Sequence, residues 1–393
     1  MSHTSTPVID PVELTRDLIR KPSVTPADEG AMDLVQAELQ KLGFACRRLA
    51  FGDPDGQGAD ARIENLYARR GTASPNLCFA GHTDVVPTGP MEAWSSDPFA
   101  AEVVEGVVVG RGAVDMKGGV AAWIAAVSQA LAEGDVPGSL SFLITGDEEG
   151  PAIDGTKKVV EALQAEGEMI DHCIVGEPTS SEAFGDMVKI GRRGSLNADI
   201  VVDGIQGHVA YPQRAANPVA VLIRLLARLQ DKVLDEGFTG FQPSNLEVVT
   251  VDVGNAATNV IPAQARARLN IRFNPAHTGA SLAAWIEAEA QAAGEGFRGQ
   301  VRVATQCSGE AFLTEQGPFT ELVSAAVADI TGRAPELSTT GGTSDARFIR
   351  ALCPVVELGL VGKTMHAVDE RAPLAEIRQL QAVYGKIIER YFA

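Results

Sequence analysis

The chain has no apolar run approaching the length of a bilayer span, so no membrane-crossing helix is expected. It is short of positive charge. Against 51 Asp and Glu stand 33 Lys and Arg, and the net charge of −18 argues against a nucleic-acid partner, which demands a basic footprint. Cysteines are few, odd in number and isolated: Cys46, Cys78, Cys173, Cys307 and Cys353. No CxxC pair occurs, which disfavours thiolate zinc. Cys78, Cys173 and Cys353 sit in apolar runs and read as reduced core thiols, so a reducing, cytoplasmic setting is expected. The first residues, MSHTSTPVIDP, have neither a basic start nor an apolar stretch, and no secretory leader is expected. There is no G-x-S-x-G elbow for a serine nucleophile and no P-loop. Gly110 and Gly112 lack the third glycine of a dinucleotide fingerprint. No repeat occurs at solenoid spacing.

What remains is an ordinary soluble globule. Its 393 residues exceed what one core usually holds, so two domains are expected. Asp10-Pro11 opens a helix over 12–19, with Asp10 as N-cap and Pro11 at its first position. A second helix over 31–42 stops at Gly43. Short buried strands at 77–80, 103–109, 141–145 and 172–175 alternate with helices at 120–132 and 157–166, which implies a largely parallel α/β sheet. From Gly191 the texture changes. Alternating strands at 196–202, 246–253, 265–273 and 300–305, with helices at 219–229 and 280–293, give the β-α-β-β-α-β order of a ferredoxin-like domain. Residues 191–305 therefore read as an insertion, and 1–190 with 306–393 as the host domain.

The stretch SFLITGDEEG, residues 141–150, organises the rest. A buried strand empties into Asp147, Glu148 and Glu149, and carboxylates so placed are costly unless compensated. A solvated acidic turn is one reading; a bound cation is the other. Further strand exits deliver more hard ligands: His82 and Asp84, then Asp115, then Glu177, with His366 from the late segment KTMHAVDE. Taken singly, His82 can be a polar loop residue, Asp115 a helix cap and Glu177 a turn residue before Pro178. Jointly, histidine and carboxylate without thiolate suit a catalytic zinc, manganese or cobalt site. There are donors enough for two ions sharing a carboxylate. Two divalent cations are balanced by Asp115, Glu149, Glu177 and one hydroxide, leaving Glu148 free to handle protons. Asp84, two residues from His82, is placed to hold that imidazole's other nitrogen. His3, His172 and His277 lack such context and read as structural.

GHTDVVPTG, DPF, GRGAVDMKGG, ITGDEEG, GEPTS, GRRGSL, QGHVAYP, TNVIP and GGTSDARF together make residues 10–391 resemble the co-catalytic zinc amidohydrolases and aminoacyl peptidases. GRRGSL, QGHVAYP and GGTSDARF point more narrowly to members that hydrolyse a succinyl amide. The resemblance implies a mixed, mainly parallel α/β catalytic domain, an inserted ferredoxin-like lid through which a homodimer forms, and two Zn2+, with Co2+ or Mn2+ as substitutes in one site. It implies that Asp115 bridges the ions, that His82 and Glu177 complete one site, and that Glu149 and His366 complete the other. Glu148 becomes the general acid/base, and His208 reaches the active site of a second copy. Arg192, Ser195, Tyr211, Asn259, Arg272, Gly342, Thr343 and Arg347 match substrate-binding positions. One departure stands out: Gly362 replaces the Asn that many relatives carry four residues before the last metal histidine. The rival readings are another N-acyl amino acid amidohydrolase of the same family, or a catalytically dead relative kept for binding. Retention of Glu148 and of all the ligands speaks against the last.

Overall fold

The computed structural model describes residues 6–58 and 61–393; His3 lies outside them. The chain divides into two compact units. The first is built from the residues up to Ile190 with Thr314–Ser338 and Ser344–Ala393, the second from Gly191–Leu313 with Thr339–Thr343.

The first unit is organised on an eight-stranded sheet. Its spatial order is Ala45–Phe51, Ile63–Arg70, Ser139–Thr145, Asn76–His82, His172–Val175, Val355–Glu357, Met187–Lys189, Glu336–Ser338. Asn76–His82 runs parallel to both of its neighbours, so the carboxyl ends of three central strands lie along one edge. Those strands are buried on both faces, as parallel strands covered by helices are. The first helix, Pro11–Ile19, starts as its sequence requires: the Asp10 carboxylate accepts from the amides of Val12 and Glu13, and Pro11 occupies the first turn.

Helix Gly118–Glu133 is apolar nearly all round and is sunk in the core against Leu374–Tyr391. Trp123 stacks on Phe79 at 5.1 Å and meets Tyr384 edge-on at 4.9 Å. The Gly118-Gly119 pair opens this helix because the chain comes too close for side chains: a Cβ on Gly119 would stand 2.5 Å from the Gly176 carbonyl oxygen. That close approach sets the segment carrying Asp115 beside the one carrying Glu177.

One expected strand is corrected. Residues 103–109 are not a strand of the central sheet but a hairpin, Glu102–Val104 and Val107–Val109, extended by Arg371–Pro373. Glu105 and Gly106 both take the left-handed conformation (φ 52° and 80°), the signature of a two-residue hairpin turn. The run of valines hid the turn, because its only local mark is Glu-Gly.

The second unit carries a four-stranded antiparallel sheet in the order Asn245–Asp252, Gln264–Phe273, Gly194–Asp203, Gln300–Gly309. With helices Pro218–Gln230 and Gly279–Ala293 this is the ferredoxin-like arrangement. Leu196, Ala198, Ile200 and Val202 alternate inward and pack with Leu222, Leu225, Ile271 and Ile286 in a separate core. His277 is tied to Asp235 within this unit, and His172 of the first unit to the Tyr391 hydroxyl, so both have structural partners. All five cysteines are free thiols. Among the described residues no helix is long and apolar enough to cross a membrane.

Candidate metal centre and its surroundings

Three central strand ends bring their residues together. His82 closes Asn76–His82, Glu148 and Glu149 follow Ser139–Thr145, and Glu177 follows His172–Val175. Asp115 arrives from the buried turn after the hairpin, and His366 from the segment before Arg371–Pro373. The Asp115 carboxylate spans two imidazoles, with Oδ1 3.2 Å from His82 Nε2 and Oδ2 3.3 Å from His366 Nε2. Glu177 Oε1 lies 3.8 Å from His82 Nε2, and Glu149 Oε1 lies 2.8 Å from His366 Nε2. One donor atom each from His82, Asp115 and Glu149 fall within 4.8 Å of one another, and so do those of His82, Glu148 and Glu177.

Electrostatically the centre sets several carboxylates against two imidazoles. Burial alone would lower the His82 pKa, but the hydrogen bond to Asp115 and the charges of Glu177 and Asp84 carry it well above the ordinary imidazole value. Hydrogen bonds to Asp115 and Glu149 push His366 up to about 10. Burial would raise Asp115, and the two imidazoles outweigh it and hold that carboxyl below its usual range. Hard oxygen donors and imidazole nitrogens around a shared carboxylate are the donor set that divalent cations take, so the residues fit a two-metal site.

Burial of the Glu148 carboxyl, with Glu177 and Asp345 nearby, pushes its pKa well above the ordinary carboxylate value. Asp84 holds the other nitrogen of His82 through its backbone, not its carboxylate. The His82 Nδ1 is taken by the Asp84 backbone carbonyl at 2.8 Å, while its carboxylate stands 3.7 Å away. That carboxylate instead accepts from the amides of Glu148 and Glu149 at 3.2 and 3.0 Å, fixing the acidic loop. Asp147 likewise turns away from the centre, accepting from the amides of Ala152, Ile153 and Asp154.

Sequence reasoning passed over three buried residues here. Arg111 and Glu370 form an ion pair at 2.8 Å, and the buried Asp345 lies near Glu148. Glu370 lay inside the quoted KTMHAVDE, but nothing local marks a glutamate whose partners are more than 250 positions away.

The other candidates divide between the units. Arg347 belongs to the first, where it stacks on Phe348 at 4.5 Å. Arg192, Ser195, His208, Tyr211, Asn259, Arg272, Gly342 and Thr343 belong to the second. There the buried Arg192 donates to the Thr340 carbonyl at 3.2 Å. Ser195 sits opposite Arg272 across paired strands. Arg272 is half-buried, and its pKa is lowered by burial and by the neighbouring Arg193. Neither Arg193 nor Arg272 has a carboxylate within ion-pair distance among the described residues. His208 is exposed, pairs with Val260 beside Asn259, and meets Tyr211 edge-on at 5.6 Å.

Residues 78–390 match the model of peptidase family M20/M25/M40. The chain belongs to that family. Its members are metal-dependent hydrolases, and the acidic centre lies within the matched span. The chain is 72% identical over 385 residues to a succinyl-diaminopimelate desuccinylase of Phenylobacterium zucineum, covering 98% of this chain and 99% of that one. It is 68% identical to a succinyl-diaminopimelate desuccinylase of Caulobacter vibrioides, covering 98% and 97%. Among solved structures, an M20 family metallo-carboxypeptidase from Sulfolobus solfataricus superposes with a TM-score of 0.77 at 17% identity, covering 97% of this chain and 99% of that one. An aminopeptidase PepT from Bacillus cereus superposes with 0.76 at 20%, covering 97% of each. At those identities the superpositions establish the M20 fold.

Proposed function

We propose that this M20 hydrolase cleaves the succinyl amide of N-succinyl-LL-2,6-diaminopimelate, giving succinate and LL-2,6-diaminopimelate for lysine and cell-wall precursor synthesis. The observation that carries the reading is full-length identity of 68–72% to proteins of that name, joined to an intact acidic centre. His82, Asp115 and Glu177 would hold one zinc ion, and Asp115, Glu149 and His366 the other, with cobalt or manganese as possible replacements in one site. When bound, such ions bring a water towards ionisation near neutral pH and polarise the amide carbonyl.

The residues of the chain do the rest. Glu148 takes the proton of the attacking water and returns it to the leaving amine nitrogen. Asp84 keeps Glu148 and Glu149 in place through their amides. Arg272 feels the positive charge of Arg193 and has no carboxylate within ion-pair distance among the described residues, which supports a substrate bearing carboxylates. The remaining substrate contacts fall to Arg192, Ser195, Tyr211, Asn259, Gly342, Thr343 and Arg347. His208 donates to the carbonyl oxygen as charge develops there, acting across a homodimer formed through the second unit. Free thiols in the core and the small-molecule substrate accord with a cytoplasmic enzyme.

The test is an activity panel of N-acyl diamino acids. We expect at least a roughly hundredfold preference in kcat/KM for N-succinyl-diaminopimelate over N-acetylornithine, the size of one lost charge-assisted contact. Equal efficiency on both would move the assignment to a deacetylase or a generalist. For His208, inactive His208→Ala and inactive Glu148→Gln subunits are mixed and exchange is verified. Partial recovery of activity supports action across the dimer, and none refutes it.

A further inference from the structure

The structure assigns Arg111 and Glu370 as positioning residues that set the ligands Asp115 and His366 at one spacing, an inference that rests on the two-metal reading above. Glu370 is fully buried, and its two oxygens accept four hydrogen bonds. Oε1 takes the amides of Val114 and Asp115 at 3.0 and 3.1 Å. Oε2 takes the amide of Gly112 at 3.0 Å and Arg111 Nη1 at 2.8 Å. Three of the four donors are backbone amides of the turn that presents Asp115, one of them the amide of Asp115 itself. The Glu370 carbonyl also accepts from the Gly110 amide at 2.8 Å. The acceptor sits four positions after His366, so one side chain spans the two ligand-bearing segments.

Arg111 completes the tie. It is 2% exposed, and its guanidinium also donates to the carbonyls of Ala367 and Pro87, both at 3.3 Å. Its plane lies over Trp94 at 5.3 Å. Pro87 follows the strand that ends in His82, so the fork joins all three segments. A buried ion pair is a poor stabiliser, because desolvation offsets much of its attraction and a well-packed apolar pair often serves as well. Its geometry is what an apolar pair cannot reproduce. Three directed hydrogen bonds fix the backbone turn that carries Asp115, and an error there moves a carboxylate that faces both imidazoles.

The experiment uses the full chain stripped of metal and titrated with zinc against a competing chelator. Glu370→Gln keeps the shape, but its amide group faces Arg111 and Gly112 as a donor. We expect zinc affinity to fall roughly ten- to hundredfold, the usual cost of losing a partner that orients a ligand, with kcat falling while KM holds. Arg111→Lys leaves the backbone donors on Glu370 and removes only the fork, with about a tenfold loss expected. It decides on the same terms if Glu370→Gln does not fold. A variant with wild-type circular dichroism that binds zinc within about threefold of wild type overturns the inference and leaves the metal reading standing. Wild type that takes up no zinc overturns both.

Discussion

The two units treat their polar groups in opposite ways. In the first, the charged groups of the acidic centre answer one another: Asp115 lies between two imidazoles, and Asp84 holds the amides of the glutamates beside them. In the second, candidate groups are left with unused capacity. His208 and Tyr211 are exposed, and among the described residues neither Arg193 nor Arg272 has a carboxylate within ion-pair distance. A centre that binds an ion must hold its ligands in place beforehand, because the ion offers charge but no shape. Groups that read a substrate must keep donors free until the substrate comes. The comparison can be broken at either end.

The largest effect falls on the first unit. Glu148→Gln keeps the volume and the backbone held by Asp84 but cannot take a proton. Turnover should fall roughly 10³–10⁴-fold with zinc content unchanged. Near-normal turnover, or loss of metal, would remove Glu148 from its role. Next comes Arg272→Ala in the second unit. If its free guanidinium reads a carboxylate, kcat/KM for the succinyl substrate should fall about a hundredfold, about 3 kcal/mol, with zinc content again unchanged. A loss shared equally by the acetyl analogue would make Arg272 structural and erase the contrast between the units.

How much of this was legible in the sequence follows the same division. The helix at Asp10-Pro11 and the alternating strand at 196–202 were legible because their signals are local. The hairpin at 102–109 was not, since a run of valines looks alike whether straight or folded back. The acidic centre could be read because each donor follows an apolar run or a glycine-rich turn. The division of labour at Asp84 could not, because carbonyl and carboxylate of one residue are indistinguishable in a sequence. Arg111 and Glu370 stayed hidden for a related reason. A buried pair with partners more than 250 positions apart leaves no periodicity. The candidates in the second unit were placed by resemblance, since no periodicity or turn signal marks them.

A smaller effect tests whether the second unit is well tied anywhere. Asp235 is its counterpart to Asp84, accepting from the amides of Gly237 and Ser244, from Asn274 and from His277. Burial would raise its pKa, but hydrogen bonds from Ser244, Gly237 and Asn274 outweigh it and lower the carboxyl to about 2. A folded pKa below the unfolded one means stability that is full at neutral pH and is lost as pH falls through the folded value. Asp235→Asn should therefore cost about 2 kcal/mol in urea melts at pH 7. The gap should hold down to about pH 5 and narrow below about pH 4. A gap independent of pH would mean that shape, not charge, matters there.

The smallest effect concerns Gly362, where the family resemblance leads one to expect Asn. Its backbone does not require glycine: φ is not positive, and the atoms nearest a Cβ would be Met365 Sδ and the Pro178 carbonyl oxygen at 3.4 Å and Pro178 Cβ at 3.5 Å, all ordinary contacts. The Gly362 amide already donates to the Ser180 carbonyl at 3.0 Å and would go on doing so under a side chain. Gly362→Asn should thus fold with stability changed by less than about 1 kcal/mol, the entropy of a glycine in the unfolded chain favouring the variant. If substrate recognition in this chain is complete without that amide, KM should move by less than about threefold, as expected when a solvated group adds no net hydrogen bond. A tenfold drop in KM would show that the first unit also has a vacancy for reading substrate, and that the contrast between the units is one of degree.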